Sequence, residues 1–170
     1  MNVRFGPKRS IRALRHALPL VLPALLAGCG QAPGSHSPSS AADPWTAVKL
    51  IQPAELAGEL KDSTATKPLL LHVGFRPLYR AGAIPGSRYV GPTSRADGIS
   101  AMTQAVKDLP RTEAIVIYCG CCPWKDCPNM KPAARTLESL GFTNVRGMKM
   151  EKNFDTDWAG QGYPVEEPKQ

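Results

Sequence analysis

Residues 114–142 constrain this chain more than any other stretch. Ala114-Ile115-Val116-Ile117-Tyr118 is apolar and mostly β-branched or aromatic, the signature of a strand buried on both faces. A crowded loop follows at once, Cys119-Gly120-Cys121-Cys122-Pro123-Trp124-Lys125-Asp126-Cys127-Pro128-Asn129. From Met130 to Leu140 the apolar residues Ala133, Ala134, Leu137 and Leu140 recur at helical spacing, and Gly141 closes the pattern. Strand, loop and helix in this order put the loop at the carboxyl end of a strand, with a helix amino terminus aimed into it. Ligands bind at that end of an α/β sheet, and a helix amino terminus favours negative charge, a thiolate included. Four of the five cysteines fall within nine residues of this loop.

The chain opens with an address. Arg4, Lys8, Arg9, Arg12 and Arg15 form a basic stretch free of acids, and Leu18 to Ala27 is an apolar run too short for a stable membrane span. It ends in Leu26-Ala27-Gly28-Cys29, which resembles a bacterial lipoprotein signal. The resemblance implies removal of residues 1–28, lipidation of Cys29, and a bacterial envelope location facing the periplasm, on the outer membrane if the cell has one. Residues 29–44 are rich in Gly, Ser, Pro and Ala and read as a flexible tether, in which His36 is simply solvated. The formal charge of +7 belongs mostly to the leader: its five basic residues, of 21 in all, leave 16 against 14 acids. That balance gives no reason to expect a nucleic-acid partner.

Residues 45–170 are one domain by length. Val48 to Ile51 reads as a strand, Pro53 starts a helix carrying Leu56 and Leu60, and Leu69 to Val73 is a second strand. Ala83-Ile84-Pro85-Gly86-Ser87 is a turn, with a short strand near Tyr89-Val90. Ile99 to Leu109 is a helix with Met102, Val106 and Leu109 inward, stopped by Pro110. Asn144 to Arg146 is a last strand and Asn153 to Ala159 a short helix, whose Trp158 belongs to the core. Strands alternating with helices across short connections predict an α/β fold, a mainly parallel sheet covered by helices on both faces.

Several of these segments together resemble the rhodanese-like domain, over most of residues 48–166. They are Leu70 to Val73 leading through Tyr79 to Gly82-Ala83-Ile84-Pro85-Gly86-Ser87, the strand ending in Tyr118-Cys119, the helix ending in Leu140-Gly141-Phe142, and the closing Trp158 to Glu166. The chain also departs from that pattern. His72 and Gly74 stand where the family usually carries Asp and Arg, Ala83 replaces a His, and Arg146 to Met150 replaces a Gly-Gly pair. The cysteine loop is longer than usual. The resemblance implies a sulfurtransferase in which Cys119 takes the outer sulfur of a small donor, such as thiosulfate or a persulfide. Cys119 would hold that sulfur as a persulfide and pass it to a thiol or cyanide-type acceptor. Only a thiolate attacks, and a helix amino terminus lowers a thiol pKa from its ordinary value of ~8.5. Lys125, with Arg76 as a second cation, is the candidate for steering an anionic donor; His72 reads as a core histidine. Phosphatases of this fold place an arginine six residues after the cysteine. Lys125 in that place offers a point charge without the planar fork that grips phosphate.

Cys121, Cys122 and Cys127 permit three readings: a thiol-disulfide exchange motif, soft-metal binding to Cu(I) or Zn²⁺, or a resolving or loop-stiffening role beside Cys119, with Cys127 expected as the resolving partner. Trp124 is either a lid or a surface stack. The preferred reading needs no resident metal or cofactor. Anchoring is testable without regard to chemistry: Cys29→Ser should leave membranes for the soluble fraction, because acyl chains contribute ~0.8 kcal/mol per buried CH₂. A variant that is cleaved normally yet still pellets with membranes would contradict the lipoprotein reading.

Overall fold

A computed structural model of the chain describes residues 43–46 and 48–168. The signal expected at 1–28, Cys29, His36 and most of the tether lie outside the described residues. Pro44, the last residue assigned to that tether, is already buried in a 3₁₀ turn over Pro44–Thr46.

Five strands form one sheet: β1 (Lys49–Ile51), β2 (Leu69–His72), β3 (Arg88–Tyr89), β4 (Ile115–Tyr118) and β5 (Val145–Met148). Their order is β1-β5-β4-β2-β3, and every neighbouring pair is parallel. The expected α/β fold is therefore what forms, with β4 at the centre and all four of its residues buried. Side chains alternate across a strand, so β4 serves two cores. Ile115 and Ile117 face α3 (Ala96–Val106) and α4 (Met130–Ser139), packing with Met102, Val106, Ala133 and Leu137. Val116 and Tyr118 join Leu56 of α1 (Pro53–Lys61), Phe154 of α5 (Phe154–Asp157), Met148 and Trp158 on the other side. Among the described residues no helix is long and apolar enough to cross a membrane.

Some bounds shift from the sequence reading by a residue or two, the last strand running Val145–Met148 and the last α-helix Phe154–Asp157, and two elements differ more. α3 begins at Ala96 and ends at Val106, leaving Leu109 beyond the helix but still packed against the core. A short helix, α2 (Arg76–Ala81), was not expected; it buries none of its residues, so no apolar stripe announces it. Its one signal is Pro77 in the first turn, where a missing N–H costs nothing.

The closing segment fastens the turn after α2 to the central strand. Ala83 and Glu166 form an antiparallel bridge, and the Gly86 N–H donates to Glu166 Oε1 at 3.0 Å. The Tyr118 hydroxyl accepts from the Ile84 N–H at 3.1 Å and lies 2.7 Å from Ser87 Oγ, while burial pushes its pKa up. Trp158 is fully buried as expected, and its indole N–H donates to the Pro164 carbonyl at 2.8 Å. At the other edge, Arg146 of β5 grips Glu59 of α1 through two hydrogen bonds of 2.6 and 2.8 Å. Gly147 leaves the space that the Trp45 ring fills: a Cβ there would stand 2.7 Å from that ring. The sheet thus presents the carboxyl ends of β2 and β4 side by side, locked by contacts from both directions.

Candidate functional site

Cys119 follows β4 directly, and Gly74 lies beside it just past the end of β2. The two chains are stitched by the Val73 N–H donating to the Tyr118 carbonyl at 2.8 Å. Gly74 explains why this chain lacks a large side chain at that position. A Cβ on residue 74 would meet the Cys119 carbonyl at 2.7 Å, the Cys119 Sγ at 2.8 Å and the His72 ring at 2.9 Å. The sulfur occupies the room that any longer side chain would need.

The loop then turns sharply. Gly120 has φ of +87°, a region L-residues avoid, and its carbonyl accepts the Phe154 N–H at 3.1 Å. That bend gathers the thiols, all four of which are free. Cys121 Sγ is the hub, 3.3 Å from Cys119 Sγ, 2.7 Å from Cys122 Sγ and 3.7 Å from Cys127 Sγ. Cys119, Cys121 and Cys127 bring their sulfurs within 4.8 Å of one another, close enough for one thiophilic ion to touch all three. Cys119 is only 1% exposed and Cys127 3%, whereas Cys121 and Cys122 are half-buried.

Burial and hydrogen bonding divide the thiols electrically. Cys127 precedes α4, and the neighbouring Cys119 thiol, joined by the N–H groups of Asn129 and Met130, draws its pKa down to about 6 against the opposing effect of burial. Cys119 moves the opposite way, because a charge on it would face the Cys127 charge and because it is itself buried among sulfurs. Burial also raises Cys121 and Cys122. Cys119 and Cys127 therefore titrate as a pair sharing a proton, with the negative charge favoured on Cys127. Asn129, fully buried, completes the pair by donating its Nδ2–H to Cys119 Sγ at 3.3 Å. It is held by the Ser94 N–H at 3.0 Å to its Oδ1 and by Thr93 Oγ1 at 2.5 Å to its carbonyl.

A small cavity of about 60 Å³ opens on Cys119, lined by His72, Leu78, Gly82, Gly120, Phe154 and Asp155 among others. His72 is neutral there. Burial lowers its pKa to about 4, and its Nδ1 accepts the Gly74 N–H at 3.3 Å, so the ring carries its proton on Nε2. It packs against Tyr118 edge-on at 5.0 Å, as a core histidine does.

No family model matches the chain, and no curated protein matches it in sequence. Solved structures do match. The rhodanese-like domain of the Alr3790 protein from Anabaena sp. superposes with a TM-score of 0.52 at 21% identity, covering 70% of this chain and 79% of that one. The domain has the rhodanese-like fold. The BH2092 protein of Bacillus halodurans gives a TM-score of 0.53 at 19% identity, covering 69% of this chain and 76% of its own. A thiosulfate sulfurtransferase from Pseudomonas aeruginosa gives 0.52 at 21%, covering 71% of this chain but only 19% of that longer one.

Within this rhodanese-like fold the four loop cysteines come together, as their spacing leads one to expect, but the two cations do not join them. Lys125 is exposed on the loop, and the Arg76 guanidinium lies 4.4 Å over the Tyr89 ring. Neither lines the cavity on Cys119. Trp124 packs edge-on against Trp45 at 5.2 Å, and its backbone N–H donates to the Met150 carbonyl at 2.9 Å. Sequence reasoning missed Asn129 as a site residue. Its place directly after Cys127-Pro128, at the start of the helix, was the available signal.

The crowding at Gly74 generates a prediction. Gly74→Ala should displace the Cys119 sulfur and destabilise the fold by about 1–3 kcal/mol, the usual cost of overpacking. Denaturant unfolding and alkylation of Cys119 measure the two effects. A variant with wild-type stability and wild-type thiol reactivity would show that the contact is not limiting.

Proposed function

We propose that this domain transfers sulfane sulfur, with Cys119 as the carrier. The observation that supports it most is placement. Cys119 is the one cysteine that lines the cavity at the carboxyl end of the central strand, and a thiosulfate sulfurtransferase is among the proteins sharing the fold.

The chemistry follows from the shared proton. Moving the Cys119 proton to the Cys127 thiolate places the negative charge on Cys119, where the Asn129 side-chain N–H at 3.3 Å receives it. The Cys119 thiolate then attacks the outer sulfur of thiosulfate. A new S–S bond forms to Cys119, the old one breaks, and sulfite leaves with the bonding electron pair. A thiol or cyanide acceptor afterwards takes the outer sulfur and returns Cys119 as a thiolate. In this scheme Cys127 holds the proton and positions the charge. Lys125 and Arg76 act at most on the approach of the donor. Delivered by the leader and lipidated Cys29, this chemistry would take place in the bacterial envelope, facing the periplasm.

A second reading, a soft-metal module, has the convergence of the Cys119, Cys121 and Cys127 sulfurs in its favour. One experiment separates the two. Persulfide formation from thiosulfate, followed by sulfite release with soft metal ions chelated, should rise with pH and level off above an inflection near 6, where the thiol pair loses its first proton. Below that pH both sulfurs are protonated and the reaction stops. Cys119→Ser should abolish the reaction, and Cys127→Ser should move the inflection up toward the ordinary thiol value of ~8.5. An inflection near that ordinary value in the wild type, or activity surviving Cys119→Ser, contradicts the proposal. Tight Cu(I) uptake with no sulfite release favours the metal module.

A further inference from the structure

A persulfide on Cys119 poses a problem of access. The sulfur is 1% exposed, and its cavity is only about 60 Å³, suited to a small donor and closed to a protein thiol. A neighbour must therefore take part in the second half of the cycle. Cys121 Sγ stands 3.3 Å from Cys119 Sγ, within the range of about 3–3.5 Å from which bound groups react. The positive φ of Gly120 holds the two in this relation, and the Phe154 N–H on the Gly120 carbonyl fixes the bend.

We propose that Cys121 is an internal resolving cysteine, so that the loop converts sulfane sulfur to hydrosulfide and requires a dithiol reductant as its partner. This inference rests on Cys119 being the sulfur carrier. The Cys121 thiolate attacks the inner sulfur, which is Cys119 Sγ itself. A Cys119–Cys121 disulfide forms, the bond to the outer sulfur breaks, and the outer sulfur leaves as hydrosulfide carrying the electron pair. The proton released by Cys121 goes to solvent or to the leaving hydrosulfide. The partner dithiol then attacks Cys121, the half-buried sulfur of the new bond, and expels Cys119 as a thiolate toward the Asn129 N–H. The partner's second thiol releases the mixed disulfide, leaving the partner oxidised and both loop cysteines reduced. Attack on Cys121 is favoured because thiol-disulfide exchange depends on access to the sulfur attacked and on the stability of the leaving thiolate.

Cys127 is the less suitable resolver. A Cys119–Cys127 disulfide would bury both of its sulfurs, at 1% and 3% exposure, beyond the reach of an external reductant. Cys122 touches Cys121 and lies outside the three-sulfur cluster, so it has no direct role in resolution.

The test uses the reduced protein, one equivalent of thiosulfate, no added thiol, and three readouts: sulfite, sulfide and intact mass. The wild type should release one sulfite and one hydrosulfide per chain and end two hydrogens lighter, with the new bond mapped to Cys119 and Cys121. Cys121→Ser should release sulfite, retain the sulfur as a persulfide one sulfur atom heavier, and give no sulfide until an external thiol is added. Cys122→Ser should behave as the wild type. A wild type that stops at the persulfide overturns the inference, as does a Cys121→Ser protein that releases sulfide, or a disulfide mapped to Cys119 and Cys127. Absence of sulfite from the wild type is a different failure. It removes Cys119 as sulfur carrier, and the resolving role falls with it.

Discussion

The contact between the Cys119 sulfur and the Gly74 backbone is the constraint on which the site depends. Parallel strands β2 and β4 end in register, so the residues just past them must share one small volume. With a glycine on one chain, the thiol on the other can sink to the sheet end and lie almost wholly out of water. From that position it can touch both the cavity and the start of α4. A longer residue at 74 would push the sulfur outward, break its relation to Asn129 and Cys127, and fill the space a donor needs.

Burial of a thiol ordinarily suppresses its chemistry, because the charged form loses hydration. The loop offsets this by gathering its sulfurs at a helix amino terminus. The Cys127 thiol is thereby lowered while Cys119 is raised, so negative charge is favoured on the sulfur nearest the helix. Division of labour follows from geometry. The helix N–H groups stabilise charge on Cys127, while the cavity makes Cys119 the sulfur that meets a substrate. Asn129 touches both arrangements, donating its side-chain N–H to one sulfur and its backbone N–H toward the other.

Much of this was legible in the residues. The run Ala114–Tyr118 identified the central strand because every position is apolar, and Ala133, Ala134 and Leu137 marked the helix behind the loop because their spacing matches its buried face. The Trp158 to Glu166 segment was recognisable, though only the structure explains it, as a clamp on Gly86 and Ala83 across the chain. Features set by long-range contact were not legible. α2 buries nothing and so leaves no periodic trace. Trp45 opens the domain with nothing beside it in the sequence to say what it packs on; it lies over Gly147 and against Trp124, which requires knowing that β5 and the cysteine loop are neighbours. The electrical contrast between Cys119 and Cys127 depends on which N–H groups converge on which sulfur, and spacing alone leaves the strand end and the helix start as rival criteria.

The central claim is that Cys119, and no other thiol of the loop, is the atom to which donor sulfur attaches. A crystal structure of the Cys121→Ser protein after treatment with thiosulfate tests it most directly, since that variant should hold the sulfur in place. The account predicts one added sulfur bonded to Cys119 Sγ and pointing into the cavity beside His72, Gly120 and Phe154. An added sulfur on Cys127 or Cys122, with Cys119 unmodified, would contradict it.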